Sequence, residues 1–166
     1  MKKVIFSLSL LLITGFAFSQ GPLYVGTSQL NVGFGLSNVG IPVYIGFDHA
    51  VSRDITLGAE LSYRAYNENW NSNYYNHNII GISGNLNYHF NRILGISPRW
   101  DFYAGPNVGF YMWTSPDGYT GNRSSRLGLG GQVGGRYYFT NSLGINLEFG
   151  GGNAFSGGKL GLSFRL

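Results

Sequence analysis

Past residue 28 the chain alternates. In QLNVGFGLS (29–37), Leu30, Val32, Phe34 and Leu36 share one parity, and Asn31, Gly33 and Gly35 the other. ITLGAELSYRAY (55–66) sets Ile55, Leu57, Ala59, Leu61 and Tyr63 against Thr56, Gly58, Glu60, Ser62 and Arg64. IGISGNLNYHF (80–90), RLGLGGQVGGRYYF (126–139), LGINLEFG (143–150) and KLGLSFRL (159–166) repeat the scheme. A period of two is the signature of a strand with one apolar face, because successive side chains leave a pleated backbone on opposite sides. With IPVYIGFDHAV (41–51) and RWDFYAGPNVGFYMW (99–113), the pattern predicts eight strands and no substantial helix. Pro106 has no N–H to give to a ladder, so a bulge is expected beside it, which leaves the facing of Phe110 to Trp113 open. LYVGTS (23–28) runs out of phase with the first strand and is not assigned.

The connections alternate in length. SRD (52–54), NRILGISP (91–98) and TNS (140–142) lie on one side, and SNVG, NENWNSNYYNHN (67–78), TSPDGYTGNRSS and GNAFSGG on the other. An even strand number with shorter turns on one rim and longer loops on the other is the pattern of an up-and-down barrel that crosses a membrane. Strands of about nine to eleven residues suffice when tilted. Closure is required there, since an open edge in lipid strands backbone N–H and C=O groups. The expected fold is therefore all-β, a closed antiparallel eight-stranded up-and-down transmembrane barrel. A soluble lipocalin-like barrel is the rival. Its second parity would face water, yet that parity is mostly Gly, Asn and Ser, a poor soluble coat but a good filling for a narrow lumen.

Composition agrees with lipid exposure. Charged residues make up 11% of the chain and aromatic residues 16%, and there are 27 glycines. An ordinary soluble domain carries about 25% charge. Tyr63, Tyr88, Phe90, Trp100, Phe102, Tyr137 and Phe139 fall near strand ends, where rings favour the headgroup level. The N-terminus reads as a signal peptide over 1–19: Lys2 and Lys3, an apolar run from Val4, then Ala17-Phe18-Ser19 before Gln20. Residues 20–166 then form one barrel domain. The formal net charge of +4 loses two lysines with the signal and no basic run remains, so nucleic acid is not an expected partner. The absence of cysteine excludes disulfides and thiolate metal sites.

The hairpins FDHAVSRDITLGAELSY and YYFTNSLGINLEF, with the terminal KLGLSFRL, resemble the small OmpA/OmpX-like outer-membrane β-barrels of Gram-negative bacteria, over essentially the whole chain after the signal. The resemblance implies a bacterial outer-membrane location with both termini periplasmic, and contact with membrane lipid and lipopolysaccharide. It also implies a last strand (159–166) read by the barrel-insertion machinery. Leu166 stands where that family usually ends in an aromatic residue. The final strand is expected to pair with the first and close the cylinder.

Parity assigns the lumen. Asp48, Glu60, Asp101, Glu148, Arg136 and Arg165 are expected at mid-depth or toward the periplasmic half, paired as a salt-bridge plug, because a lone charge in a narrow low-dielectric channel is costly. Arg64, Arg126 and Lys159 form an outer basic group with no acidic partner outside the loop residues Glu68 and Asp117, and lipopolysaccharide phosphates would suit it. Trp70, Tyr74 and Tyr75 in the 67–78 stretch are candidates for protein or glycan contact. No catalytic group, metal site or cofactor is expected: His49, His77 and His89 are scattered, and only His77 has a conceivable nucleophile, Ser124 or Ser125, with Glu68 as its acid. The reading is a non-enzymatic structural or interaction barrel, serving envelope integrity, adhesion or as an accessory subunit. A small-solute channel is the alternative and a lipid-A-modifying hydrolase a remote one.

Overall fold

The computed structural model describes residues 23–70 and 73–166. The signal-peptide reading over 1–19 lies outside the described residues. The strands are β1 (Ser28–Ser37), β2 (Val43–Ser52), β3 (Ile55–Trp70), β4 (Asn73–His89), β5 (Trp100–Thr114), β6 (Arg126–Tyr138), β7 (Leu143–Gly152) and β8 (Gly157–Arg165). A single helical turn, α1 (Asn91–Leu94), sits between β4 and β5 and ends at Gly95, whose φ of 63° is the left-handed stop that glycine takes without strain. Each strand pairs antiparallel with the next, and β8 pairs with β1 from Gln29↔Arg165 to Ser37↔Gly157, so the sheet closes.

The apolar parity faces out. Leu57, Leu129 and Leu162 are 51%, 57% and 42% exposed, while their inward neighbours Thr56 and Ser163 are buried. That arrangement inverts a soluble protein and requires an apolar solvent around the barrel. Trp100, Phe102, Tyr137 and Phe139 form a contiguous ring cluster at the rim that holds the termini, with centroids 4.7 Å apart for Trp100–Tyr137 and 5.5 Å for Tyr137–Phe139. Amphipathic rings at that level are the anchors expected of a lipid boundary.

The structure differs from the pattern-based reading in several elements. Pro106 causes no bulge. β5 stays in one register with β6 from Trp100↔Tyr137 to Tyr111↔Arg126, with Pro106 opposite Gly131. On the β4 side the pairing lapses between Asn85↔Asn107 and Tyr88↔Ala104 and resumes in phase. The gap falls on the β4 side alone and the ladder to β6 is unbroken, so the missing N–H costs a local lapse and no register. Phe110 and Met112 therefore face out, and Tyr111 and Trp113 face in. The 67–78 stretch is not a loop. β3 and β4 continue as a ladder to Trp70↔Asn73 and stand above the rim as a long hairpin. Finally, residues 23–28 extend the wall: Gly26 N–H donates to Ala50 O and Ala50 N–H to Thr27 O, with Leu23 buried beneath.

Candidate functional site

The lumen is the candidate site, because the inward parity carries nearly all buried polar groups. Its filling starts at the terminal rim. Tyr138 Oη donates to Gln29, and the Arg165 guanidinium lies 3.3 Å from the centre of the Tyr138 ring. Arg165 then donates to the carbonyls of Pro98 (2.9 Å) and Asn141 (3.4 Å). It touches no carboxylate among the described residues, which corrects its expected place in the ion-pair network. At the end of β8 it is near backbone carbonyls of the turns and closer to the terminal rim than the acids are.

Deeper in, Arg136 bridges two carboxylates, Asp48 at 2.7 Å and Asp101 at 2.9 Å, with its face 4.1 Å from the Tyr103 ring centre. Every member is at least nine-tenths buried. Further hydrogen bonds saturate the acids: Asn31 donates to Asp48 (2.9 Å), and His89 Nδ1 lies 2.6 Å from Asp101 while its Nε2 meets Thr56 Oγ1 at 3.0 Å. This is how a buried ion cluster becomes tolerable, with one guanidinium shared by two carboxylates whose other lone pairs are taken by neighbouring donors. Space for the bulky groups comes from glycine across the barrel wall. A Cβ on Gly134 would stand 2.4 Å from the Tyr103 ring, and one on Gly161 2.5 Å from the Tyr44 hydroxyl.

Above lies a second charged layer. Lys159 Nζ is 2.7 Å from Glu60 and 2.7 Å from Glu148, and Tyr103 Oη donates to Glu148 at 2.9 Å. Lys159 had been expected to lack an acidic partner. Parity was right about its face, but depth depends on barrel tilt, which carries β8 past β3 at a level that strand-by-strand counting misses. The layers leave a void of about 20 Å³ between them and a cavity of about 100 Å³ above Lys159, at the loop rim. The former has room for about one water.

The remaining basic residues do not form an outward patch. Arg64 is buried, donates to Ser37 Oγ (3.0 Å) and stacks on Phe155 (4.2 Å). Arg126 donates to Ala154 O (3.2 Å). An array meeting lipopolysaccharide phosphates from these three side chains is thus absent among the described residues, since Lys159 is neutralised and Arg64 turns inward.

At the outer mouth, residues 115–125 pack against the inward side of the β3–β4 hairpin. Glu68 accepts from Tyr119 Oη (2.8 Å) and Arg123 Nε (3.2 Å). The contact with Arg123 holds the Glu68 carboxyl below the usual carboxylate range and raises the Arg123 guanidinium. Outward positions here are Asn67, Asn69 and Asn76 in place of Leu and Ile, so this part of the hairpin stands clear of the apolar belt. His77 is buried among Tyr66, Trp113 and Tyr119, with Nδ1 2.9 Å from Ser115 Oγ. Its hydroxyl partner is therefore Ser115, in place of the expected Ser124 or Ser125. His77 Nε2 stands 3.6 Å from Glu68, too far for a hydrogen bond, and that carboxylate is already engaged by Arg123 and Tyr119. This is not the geometry of a charge-oriented base. Trp70, Tyr74 and Tyr75 do not form one surface either. Tyr74 is 84% exposed on the outside, whereas Tyr75 packs inward on Tyr119 at 5.2 Å and Trp70 lies 6.3 Å from the same ring. The lid that organises these contacts was not legible in TSPDGYTGNRSS, whose polar composition only marks a loop.

No protein-family model and no curated protein sequence matches this chain. Solved structures do. The outer membrane protein OprG of Pseudomonas aeruginosa aligns with 90% of this chain and 99% of its own at a TM-score of 0.69 and 9% identity. The N-terminal β-barrel domain of P. aeruginosa OprF aligns with 86% and 98% at 0.62 and 15% identity. The attachment invasion locus protein Ail of Yersinia pestis, in complex with the heparin analogue sucrose octasulfate, aligns with 86% and 100% at 0.54 and 12% identity. At such identities the likeness is one of fold, and the fold is that of the small outer-membrane β-barrels.

Proposed function

We propose that this chain is a non-enzymatic barrel of a bacterial outer membrane, with both termini in the periplasm and a structural or interaction role at the cell surface. The supporting observation is the filled lumen: the Asp48–Arg136–Asp101 and Glu60–Lys159–Glu148 layers cross it in succession, and the void between them is about 20 Å³. A solute passing through would have to break buried ion pairs, which is costly in a low-dielectric interior. The barrel therefore acts through its surfaces. Its projecting β3–β4 hairpin offers Tyr74, Asn67, Asn69 and Asn76 for glycan or protein contact; Ail, a barrel of the same fold, is known in complex with a heparin analogue. The last strand, with Leu160, Leu162, Phe164 and Leu166 on its lipid side, supplies the segment that an insertion machinery would read.

Reconstitution into planar bilayers tests the filled lumen. The expected result is no steady conductance at moderate voltage. Stable single-channel steps that grow on Lys159→Ala would identify a small-solute channel and overturn the proposal.

A further inference from the structure

Arg64 is 6% exposed, and no carboxylate lies within ion-pair distance of it among the described residues. Arg136, comparably buried, holds two. Arg64 spends one donor on Ser37 Oγ, and its Nε is buried with no hydrogen-bond partner. The Phe155 ring beneath it, 4.2 Å from the guanidinium carbon, attracts a cation but accepts no conventional hydrogen bond. A guanidinium has five donors in a planar fork, and burying it with most of them unused is unfavourable unless something else engages them.

What Arg64 lines is the cavity of about 100 Å³ at the loop-rim end of the lumen, together with Ser37, Glu60, Tyr111, Phe155 and Lys159. At about 10–15 Å³ per water-sized group, it has room for the oxygens of one small oxyanion. The electrostatics discriminate within it. Glu60 and Glu148 line the floor and share the single charge of Lys159, so the excess negative charge repels an anion there, while Arg64 stands nearer the mouth. Arg126, outside the cavity lining, lies 5.7 Å from the centre of the same Phe155 ring and adds only a more distant positive charge. Tyr111 brings a phenolic donor to the same wall. Glycines 128, 130, 150, 151, 157 and 158 keep the space open.

We infer that this cavity is a binding site for a small oxyanion, a phosphate or carboxylate group entering from the outer mouth and received by the Nη donors of Arg64 that Ser37 leaves free. The planar guanidinium suits the two-oxygen face that both groups present. The inference is independent of conduction, since a pocket closed at its floor by Lys159 binds without passing anything through.

The test uses the full chain folded in a maltoside detergent, with inorganic phosphate titrated at constant ionic strength against chloride and followed by calorimetry. Acetate and a phosphate-bearing glycolipid in mixed micelles form parallel arms. Saturable binding of phosphate or acetate is expected, weakened about tenfold or more by Arg64→Gln, since hydrogen bonds to charged groups are the strong ones. Gly150→Leu should abolish it while leaving every charge in place. A Cβ there meets nothing closer than Gly131 O at 3.4 Å, so the new side chain enters the cavity without straining the wall. Binding of the glycolipid alone, lost with Arg64→Gln, would support the site and assign its source to a lipid headgroup. No saturable binding in any arm, or binding unchanged in both variants, would mean a water-filled cavity and overturn the inference. Folding of each variant is checked by heat-modifiable gel mobility, and Arg64→Lys, which keeps the charge but loses the fork, stands in for a Gln variant that fails to fold.

Discussion

At the scale of residues, the lumen is governed by desolvation. Arg136 is 2% exposed and pairs with both Asp48 and Asp101. Arg136→Ala would leave two carboxylates facing each other in a dry interior, and breaking a buried pair in this way costs about 3–5 kcal/mol. The expected outcome is a loss of that order in urea unfolding from lipid vesicles, partly recovered when Asp101→Asn is added to remove one stranded charge. An unchanged unfolding midpoint for Arg136→Ala would show that water reaches the layer. The inward facing of Asp48, Asp101 and Arg136 was legible, because parity alone sets it. That Lys159 meets Glu60 was not. The two are 99 positions apart, and their common depth depends on strand tilt around the whole barrel, a quantity that no single strand encodes.

At the scale of elements, alternation is informative only where the two faces differ. β3 and β4 were recognisable as far as Tyr63 and Ile80, where Leu and Ile oppose Gly and Ser. Beyond them both faces turn polar or aromatic, the contrast vanishes, and NENWNSNYYNHN reads as loop although it is ladder. The 115–125 lid is fastened to this part of the hairpin, and its attachment is sensitive to acid. Glu68 sits below its ordinary value of 4.5, chiefly because Arg123 donates to it, so the stability it confers is present above that value and is lost as pH falls through the depressed one. His77 lies below its ordinary 6.5, first through burial, with Arg123 adding to the effect and Glu68 opposing it. It is therefore held neutral, and the folded lid disfavours its protonation as pH drops below about 6.5. The two effects have the same sign. A spin label on a single cysteine at exposed Thr120, convenient in a chain without other cysteines, should be immobile at pH 7. It should begin to loosen as pH falls below 6.5 and loosen further below 4.5, as His77 and then Glu68 take up protons. In Arg123→Gln it should be mobile throughout. A label as immobile in Arg123→Gln as in the parent chain would exclude Glu68 as the fastening point.

At the scale of the whole molecule, the inverted polarity decides what solvent the barrel is built for. The outward row of β2 includes Val43, Ile45 and Phe47, with Ile41 just beyond the strand at the loop rim. Ile41 and Ile45 are 60% and 47% exposed, so neither is packed in a core, and in water an arginine at either position would be harmless or would aid solubility. In a bilayer the two positions differ by depth. Ile45 pairs with Val32 and Leu61, well inside the apolar band, whereas Ile41 lies outside the ladder beyond the level of Tyr63. An outward arginine near the midplane of a barrel costs about 2–4 kcal/mol and one near the interface about 0–1 kcal/mol. Ile45→Arg is therefore expected to destabilise the barrel in phospholipid vesicles by about 2–4 kcal/mol and Ile41→Arg by less than about 1 kcal/mol, measured by guanidinium unfolding. Burial cannot produce that ordering, since the more exposed and less exposed positions are both on the surface; only a hydrocarbon slab of limited thickness can. Equal and negligible effects of the two substitutions would mean that the oily wall is not embedded in lipid, and the resemblance to membrane barrels would then be one of shape without environment.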